Sequence, residues 1–445
     1  MRTFLIIWIG QLISLLGSGL TSFALGVWIF QETGQATPFA MTVLIGTLPR
    51  TLLMPLAGTL ADRWNRRLMM ILSDTGSALV TLGIAVVVLT GELEVWHIFT
   101  ASFIYSIFGA FQEPAYRASV VMLVPKKDLA RANGMAQSSE AVQMLVAPLL
   151  AGFLFVSIGL QGIILIDFFT FFFALGSLLI VRIPQPELAP EPEGKKSSVL
   201  SDMGFGWRYL RERPGLLYIV LYSALVNFLL NFSSVLIGPL VLSFETAEVY
   251  GIINVVMGAG MLVGSIFIGA WGGPKRKIAG VFAFIALMGI GQALTGLVAS
   301  AWTIGAGLFL MLFGVPVASG CSTAITQAKV EPSVQGRVFA IRSMISQSIM
   351  PVAFAIAGPL SDLVFEPLMR EGGALANSLP GMLLGVGPGR GMGLMFVLGG
   401  LLLLVVTALA WTNPRIRKVE DELPDVVTVE AQNAPAGGLV PGAAD

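Results

Sequence analysis

The chain has 445 residues, of which 55% are hydrophobic and only 12% charged, with a mean hydropathy of +0.84 and no net charge. Soluble domains carry roughly 25% charged residues, so this composition, with its repeated apolar runs of about 20 residues, excludes a soluble globular protein and points to membrane spans. One cysteine, Cys321, rules out an internal disulfide, and one histidine, His97, leaves no histidine-based metal cluster.

In chain order, Met1-Arg2 leads into an apolar run to Phe30. That run is too long for the hydrophobic region of a signal peptide and has no clear cleavage site, so it reads as a retained first span. Twelve apolar segments follow one another: 4–30, 38–60, 68–90, 95–122, 135–157 and 160–182 in the first half, and 215–242, 249–270, 278–298, 301–328, 338–365 and 391–412 in the second. The expected fold class is therefore an all-α integral membrane protein with twelve transmembrane helices in two six-helix bundles. With an even count, both termini lie on one side. Placing them in the cytoplasm puts 22 of the 26 Lys and Arg residues on that side, the bias expected of cytoplasmic loops.

The link between the second and third segments, Gly58 to Arg67, sets Asp62 beside Arg63, Arg66 and Arg67. A plain basic anchor would explain the arginines. It would not explain Gly58 four residues before Asp62, where a small residue permits close helix approach and an acid one turn on can meet the positive N-terminus of another helix.

The central link begins with Pro184, Pro186, Pro190 and Pro192, a stiff extended linker. It continues as Ser197 to Arg213, where Trp207 and Leu210 oppose Arg208 and Arg211 in an interfacial amphipathic helix. The division is then an N-terminal bundle (1–182), a cytoplasmic linker (183–214), a C-terminal bundle (215–412) and a cytoplasmic tail (413–445) expected to be disordered. The outer link from Phe365 to Arg390 is long and rich in Gly and Pro, yet carries Met382-Leu383-Leu384; packing on the outer mouth and contact with the bilayer both fit it.

The halves resemble each other at a shift of about 210 residues. Gly58 to Arg67 lines up with Gly269, Gly273, Lys275, Arg276 and Lys277, and Pro148 and Gly152 recur as Pro351 and Gly358. Parallel repeats of six spans are one of the recurring plans of membrane transporters.

Ionisable groups inside spans are costly and mark function or pairing. Arg50 lies twelve residues after Pro38, about 18 Å deep, near the middle of a hydrocarbon core about 30 Å thick. It fits a substrate anion site, a counter-ion to a coupling acid or a structural pair. Glu113 and Arg117, four apart, share a helix face, and Glu140 enters at similar depth; this trio suits an inner-side gating network. Asp167 stands between Ile166 and Phe168 with no charged neighbour in sequence, which suits either a proton site loaded from outside or a helix–helix hydrogen bond. Asp74 sits too near the inner end of its span to be a strong coupling candidate. His97, beside Trp96, reads as an interfacial residue.

The first six segments resemble the macrolide-efflux-like group of drug:proton antiporters in the major facilitator superfamily. The resemblance is carried by Trp8-Ile9-Gly10-Gln11-Leu12-Ile13-Ser14-Leu15-Leu16-Gly17, Leu48-Pro49-Arg50, the Gly58–Arg67 loop, Leu72-Ser73-Asp74, Glu113-Pro114-Ala115, Val124-Pro125, Ala132-Asn133-Gly134 and Ile166-Asp167. It covers most of the first half and the overall plan of the second. It implies that Gly58, Asp62, Arg63, Arg66 and Arg67 form an intracellular gating motif. Asp62 would meet the start of span eleven in the outward-open state, and Arg66 or Arg67 would pair with Asp128. The second copy has Gly273 where Asp62 stands. Pro148 and Gly152 look like an antiporter motif with alanine at two places where glycine is usual.

In such a fold spans one, four, seven and ten line the cavity. That makes Gln11, Ser14 and Ser18 on span one, and Asn227, Phe228 and Asn231 on span seven, candidate cavity residues along with Arg50; polar helix packing is the other reading of these stripes. The coupling candidates are Asp167, Glu113 and Glu140. The expected function is proton-coupled efflux of amphipathic, macrolide-like drugs from a bacterium across its inner membrane; the alternative is a same-fold transporter of a siderophore, lysophospholipid or nutrient. No enzymatic motif is present, no cofactor is expected because the proton gradient supplies the energy, and no metal site is expected. The expected partners are a small-molecule substrate and the lipid bilayer, with no nucleic acid, and the protein is expected to be a monomer.

Overall fold

Backbone polar groups in lipid must be satisfied within the segment that carries them, and helices do this. The computed structural model describes residues 1–181, 183 and 199–422, and every regular element among them is helical. The first half holds α1 (Arg2–Thr33), α2 (Ala36–Arg63), α3 (Arg66–Thr90), α4 (Val95–Leu123) and α5 (Leu129–Ile180). The second half begins with α6 (Val199–Arg211), α7 (Pro214–Ser234), α8 (Ile237–Leu242), α9 (Ala247–Trp271), α10 (Lys277–Leu297) and α11 (Ala301–Lys329). It continues with α12 (Pro332–Ser348), α13 (Met350–Leu360), a π turn at Ser361–Phe365, α14 (Glu366–Met369), α15 (Leu379–Leu384) and α16 (Arg390–Thr412). Two short helices, α17 (Pro414–Arg417) and α18 (Val419–Glu422), close the described chain.

Among the described residues nine helical stretches are long and apolar enough to cross a membrane. The stretch Val334–Met369 is one of them and unites α12, α13, the π turn and α14. The count of twelve further requires reading the equally long α2 and α4 as crossings and dividing α5 in two. Gly159 makes that division, with φ 69° and ψ −178° inside the helix, a conformation suited to glycine. The contacts of α1 show that the chain reverses there. Trp8 Nε1 donates to the Met135 carbonyl (2.8 Å) and Gln143 Nε2 to the Leu15 carbonyl (3.0 Å), so the first arm of α5 runs with α1. Gly10 abuts Ser177 while Ser18 bonds Asp167, so the second arm runs against it.

The two halves meet at one end of the molecule through two crossings. A Cβ on Gly152 of α5 would lie 2.7 Å from the Ala247 carbonyl of α9, and one on Gly251 of α9 would lie 2.6 Å from the Pro148 carbonyl. The partner crossing sets Gly358 of α13 against α2, where a Cβ would fall 2.7 Å from Thr37 Cα. Gly152 and Gly358 are the equivalent positions of the sequence repeat, so the repeat marks both of these crossings. Only small residues let backbones approach this closely.

The amphipathic α6 packs under α12, with Tyr209 and Leu210 buried and the Arg337 guanidinium 4.9 Å from the Phe205 ring. The proline-rich part of the central linker and the tail beyond Glu422 lie outside the described residues. The stretch from Pro414 to Glu422 forms α17 and α18 and folds back on the second half, burying Ile416 and Val419. Glu420 accepts from the backbone N–H of Lys277 (3.0 Å) and Ile278 (2.9 Å), capping α10. The link from Phe365 to Arg390 packs Met369 and Leu384 beside Leu394 of α16, while Leu379, Met382 and Leu383 stay exposed.

Candidate functional site

At the centre of the first half lies a cavity of about 770 Å³, bounded by α1, α2, α3, α4 and both arms of α5. A second cavity of about 630 Å³ shares Ser18, Thr81, Tyr105, Gln143 and Asp167 with it and reaches the other half at Val235, Tyr250, Asn254 and Phe354. Both fall in the size range of sites for drug-sized molecules. The larger cavity opens toward the end that carries the Gly58–Arg67 turn. From the middle of the wall toward that end, Arg50, Arg117 and Glu140 have side chains 50%, 66% and 65% exposed. The opposite end is closed by the crossings at Gly152 and Gly358, and by Phe23 stacked on Tyr250 with ring centroids 4.8 Å apart.

Polar residues along α1 face the larger cavity at helical spacing. Gln11, Ser14 and Ser18 all line it, as the sequence pattern predicts. Gln11 is a relay point: Gln112 Nε2 donates to its Oε1 (2.8 Å), and its Nε2 donates to Asp74 Oδ2 (2.8 Å). Asp74 is thus a wall residue of the cavity, 9% exposed. Sequence position gives depth along its own helix; it does not give the partner that α1 brings across. Asp167, 5% exposed, accepts from Ser18 Oγ (3.2 Å) and Thr81 Oγ1 (3.5 Å). Both carboxylates therefore bond neutral donors inside a membrane-spanning bundle.

Arg50, Glu113, Arg117 and Glu140 form one chain of charge. Arg50 pairs with Glu113 Oε2, Arg117 holds Glu113 Oε1 at 2.8 Å, and Glu140 lies 3.6 Å from Arg117. Glu113 sits between two cations, and the Arg50 charge is spent on Glu113.

The candidates on α7 are placed differently. Asn227 Nδ2 donates to the Ser223 carbonyl (2.9 Å) and Asn231 Nδ2 to the Asn227 carbonyl (2.8 Å), each one turn back on its own helix. Phe228 packs against the core of the second half, with its ring 6.1 Å from that of Phe232. None of the three lines either cavity. A polar stripe that bonds its own backbone reads the same in sequence as one that faces a cavity. The second half contributes Tyr250, Asn254 and Phe354 instead, which the sequence pattern did not single out.

In the Gly58–Arg67 turn, Asn65 caps α3 by accepting from the Leu68 N–H (3.1 Å). Arg67 donates to the carbonyls of Leu178 (2.7 Å) and Leu179 (2.9 Å) at the end of α5, where a cation suits the negative helix terminus. Arg66 is buried and donates to the carbonyls of Ala61 (3.2 Å) and Ala118 (3.0 Å). In this conformation Arg67 serves the end of α5, and Asp128, which the resemblance pairs with Arg66 or Arg67, closes the 3₁₀ turn before α5. The side chains of Asp62 and Arg63 lie outside the described residues. Pro148 and Gly152, the antiporter-like pair, stand at the α5–α9 crossing.

A helical membrane bundle of two repeated halves, closed at one end over a cavity that opens at the other, defines a transport protein. The sequence matches the Major Facilitator Superfamily over residues 7–355, and the chain belongs to that family. It is 31% identical to macrolide efflux protein A of Streptococcus pyogenes over 370 residues, 81% of this chain and 90% of that one. It is 32% identical to macrolide efflux protein A of Enterococcus faecalis over 328 residues, 72% of this chain and 99% of that one. Among solved structures, a bacterial homologue of the human lysosomal transporter Spinster, in an inward-facing and unoccupied conformation, superposes with a TM-score of 0.68 at 15% identity, covering 96% of this chain and 98% of that one. A bacterial homologue of the iron transporter ferroportin in an inward-facing state gives 0.65 at 14% identity, over 93% and 99%. The chain is a multi-pass membrane transporter.

Proposed function

We propose that this transporter exports amphipathic small molecules, macrolide-like compounds among them, from a bacterium in exchange for protons, by alternating access across the plasma membrane. The observation that carries the reading is the pair Asp74 and Asp167, two buried carboxylates bonded to neutral donors in the wall of a drug-sized cavity. A carboxylate in the bundle without a cationic partner has the proton as its available counter-charge, and intramembrane acids of this kind serve as proton relays. Asp167 leads because it lies where the two cavities join and contacts α1 and α3 together. Glu113 is the weaker candidate, being already neutralised by two arginines.

The wall chemistry supports an amphipathic substrate. Phe23, Phe39, Tyr250 and Phe354 offer apolar and aromatic surface on one side, and Gln11, Ser14 and Gln112 offer hydrogen bonds on the other. The pairing of Arg50 with Glu113 takes away the cation that would favour an anionic substrate. Similarity to macrolide efflux proteins supports export of that class. The distribution of Lys and Arg supports cytoplasmic termini, which makes this conformation open to the cytoplasm. Uptake of a labelled macrolide into energised inside-out vesicles, abolished by a protonophore, is the expected result; uptake that persists without a proton gradient overturns proton coupling.

A further inference from the structure

The closed end of the molecule carries a bond between the halves that neither the gating turn nor the antiporter-like pair accounts for. Helix α2 begins without a cap of its own: its N-cap residue, Gln35, makes no side-chain hydrogen bond. The first two N–H groups of α2 are instead taken by a carboxylate from the other half. Asp362 Oδ1 accepts from Ala36 (3.0 Å) and Oδ2 from Thr37 (2.7 Å). A carboxylate on two free N–H groups at a helix N-terminus gains both charge-assisted hydrogen bonds and the favourable end of the helix dipole.

The local fold brings Asp362 to this place. Pro359 interrupts the hydrogen bonding of α13, and the helix widens into the π turn Ser361–Phe365, which holds Asp362. Single π turns re-aim side chains and recur at functional positions. One turn earlier Gly358 lets α13 lie against Thr37, so backbone contact and carboxylate act on the same helix end. Beside Asp362, Ser361 is fully buried and its hydroxyl has no hydrogen-bond partner. A polar group left so in one state gains when the helices part.

The position has a counterpart. Helix α2 carries Asp62 near its end, in the gating turn; the span made of α12 and α13 carries Asp362 at its end. In the crossing related by the sequence repeat, α5 against α9, the residue four after Gly152 is Val156, and the inner turn after α9 has Gly273. Both acids therefore belong to one helix pair, at opposite ends of it.

We propose that Asp362 is a positioning residue that latches the end of the transporter opposite the Gly58–Arg67 turn, by capping α2 from the other half, and that it lets go when the cavity opens to that side. The proposal rests on the alternating-access reading above. It makes Asp362 the reciprocal of the latch implied for Asp62, so that α2 and the α12–α13 span trade one carboxylate contact for the other as the halves rock.

The test uses spin-label pairs in the full chain with Cys321→Ala, reconstituted in lipid nanodiscs. One pair, at Gln31 and Glu371, spans the closed end; the other, at Lys127 and Glu331, spans the open end. Asp362→Asn keeps shape but loses charge. It is expected to raise the ratio of long to short distances at the first pair by about twofold to fivefold, the usual range for losing a carboxylate at a helix N-terminus, and to shorten the second pair in step. Asp362→Glu is expected to return both pairs toward wild type. A wild type that moves when substrate is added, beside an Asp362→Asn variant that matches it throughout, overturns the latch and leaves the rocking reading standing. Lengthening at both pairs means general loosening and also overturns the latch. A single unchanging distance in every variant and condition removes the rocking reading itself, and the latch with it.

Discussion

Glu113 is shared between two arginines, with Arg50 of α2 on one carboxylate oxygen and Arg117 of its own helix on the other at 2.8 Å. This ties α2 to α4 halfway along the cavity wall. Glu113→Gln leaves two like charges facing each other. Because both arginine side chains are at least half exposed, solvent screens part of the loss, and the expected destabilisation is about 1–2 kcal/mol. Thermal unfolding in detergent measures it. The variant is expected to keep proton-driven accumulation; loss of accumulation at unchanged stability would make Glu113 the coupling acid.

Asp167→Asn preserves a hydrogen-bonding group toward Ser18 and Thr81 and removes the proton site. Energised efflux is expected to fall by at least about tenfold, equivalent to roughly 1.4 kcal/mol, while substrate affinity stays close to wild type. Binding in detergent and transport in vesicles separate the two. An Asp167→Asn protein with unchanged pH dependence of transport moves the role to Asp74, for which Asp74→Asn is the matching variant.

Gly152 and Gly358 seal the closed end, and each leaves no room for a side chain. Gly152→Leu or Gly358→Leu is expected to hold that end open and depress transport. With Ser18→Cys and Cys321→Ala in the same chain, a membrane-impermeant thiol reagent added at that face is expected to label the introduced thiol in the glycine variants and leave it unlabelled in the parent. Equal labelling in both would mean the crossings do not form the seal.

The clasp formed by the end of the described chain makes a stability prediction. Glu420 caps α10, and its backbone carbonyl accepts from Lys329 Nζ at 2.5 Å. Glu420→Ala is expected to cost about 0.5–2 kcal/mol, the usual worth of a helix cap, read as a lower unfolding temperature, with transport per folded molecule unchanged.

Periodic and local features are legible in the amino-acid sequence. The break between the fifth and sixth apolar segments falls at Gly159, and the repeat that pairs Pro148 and Gly152 with Pro351 and Gly358 marks both glycine crossings between the halves. The stripe Gln11, Ser14, Ser18 is legible because its helical spacing puts all three on the face of α1 that lines the larger cavity. What is not legible depends on long-range packing. Asp74 gains its place from Gln11, 63 residues away, and Arg67 finds the carbonyl of Leu178, 111 residues away. Asn227 and Asn231 satisfy themselves one turn back, so their spacing carries no information about the cavity. The cap that Asp362 supplies to α2 joins residues more than 300 apart and has no signal in either segment alone.

The most direct measurement of the central claim is proton release from energised inside-out vesicles on addition of a macrolide, with Asp167→Asn vesicles in parallel. Release in the wild type is expected to scale with the compound added and to be lost in the variant. Macrolide accumulation by the wild type with no accompanying proton release would contradict it.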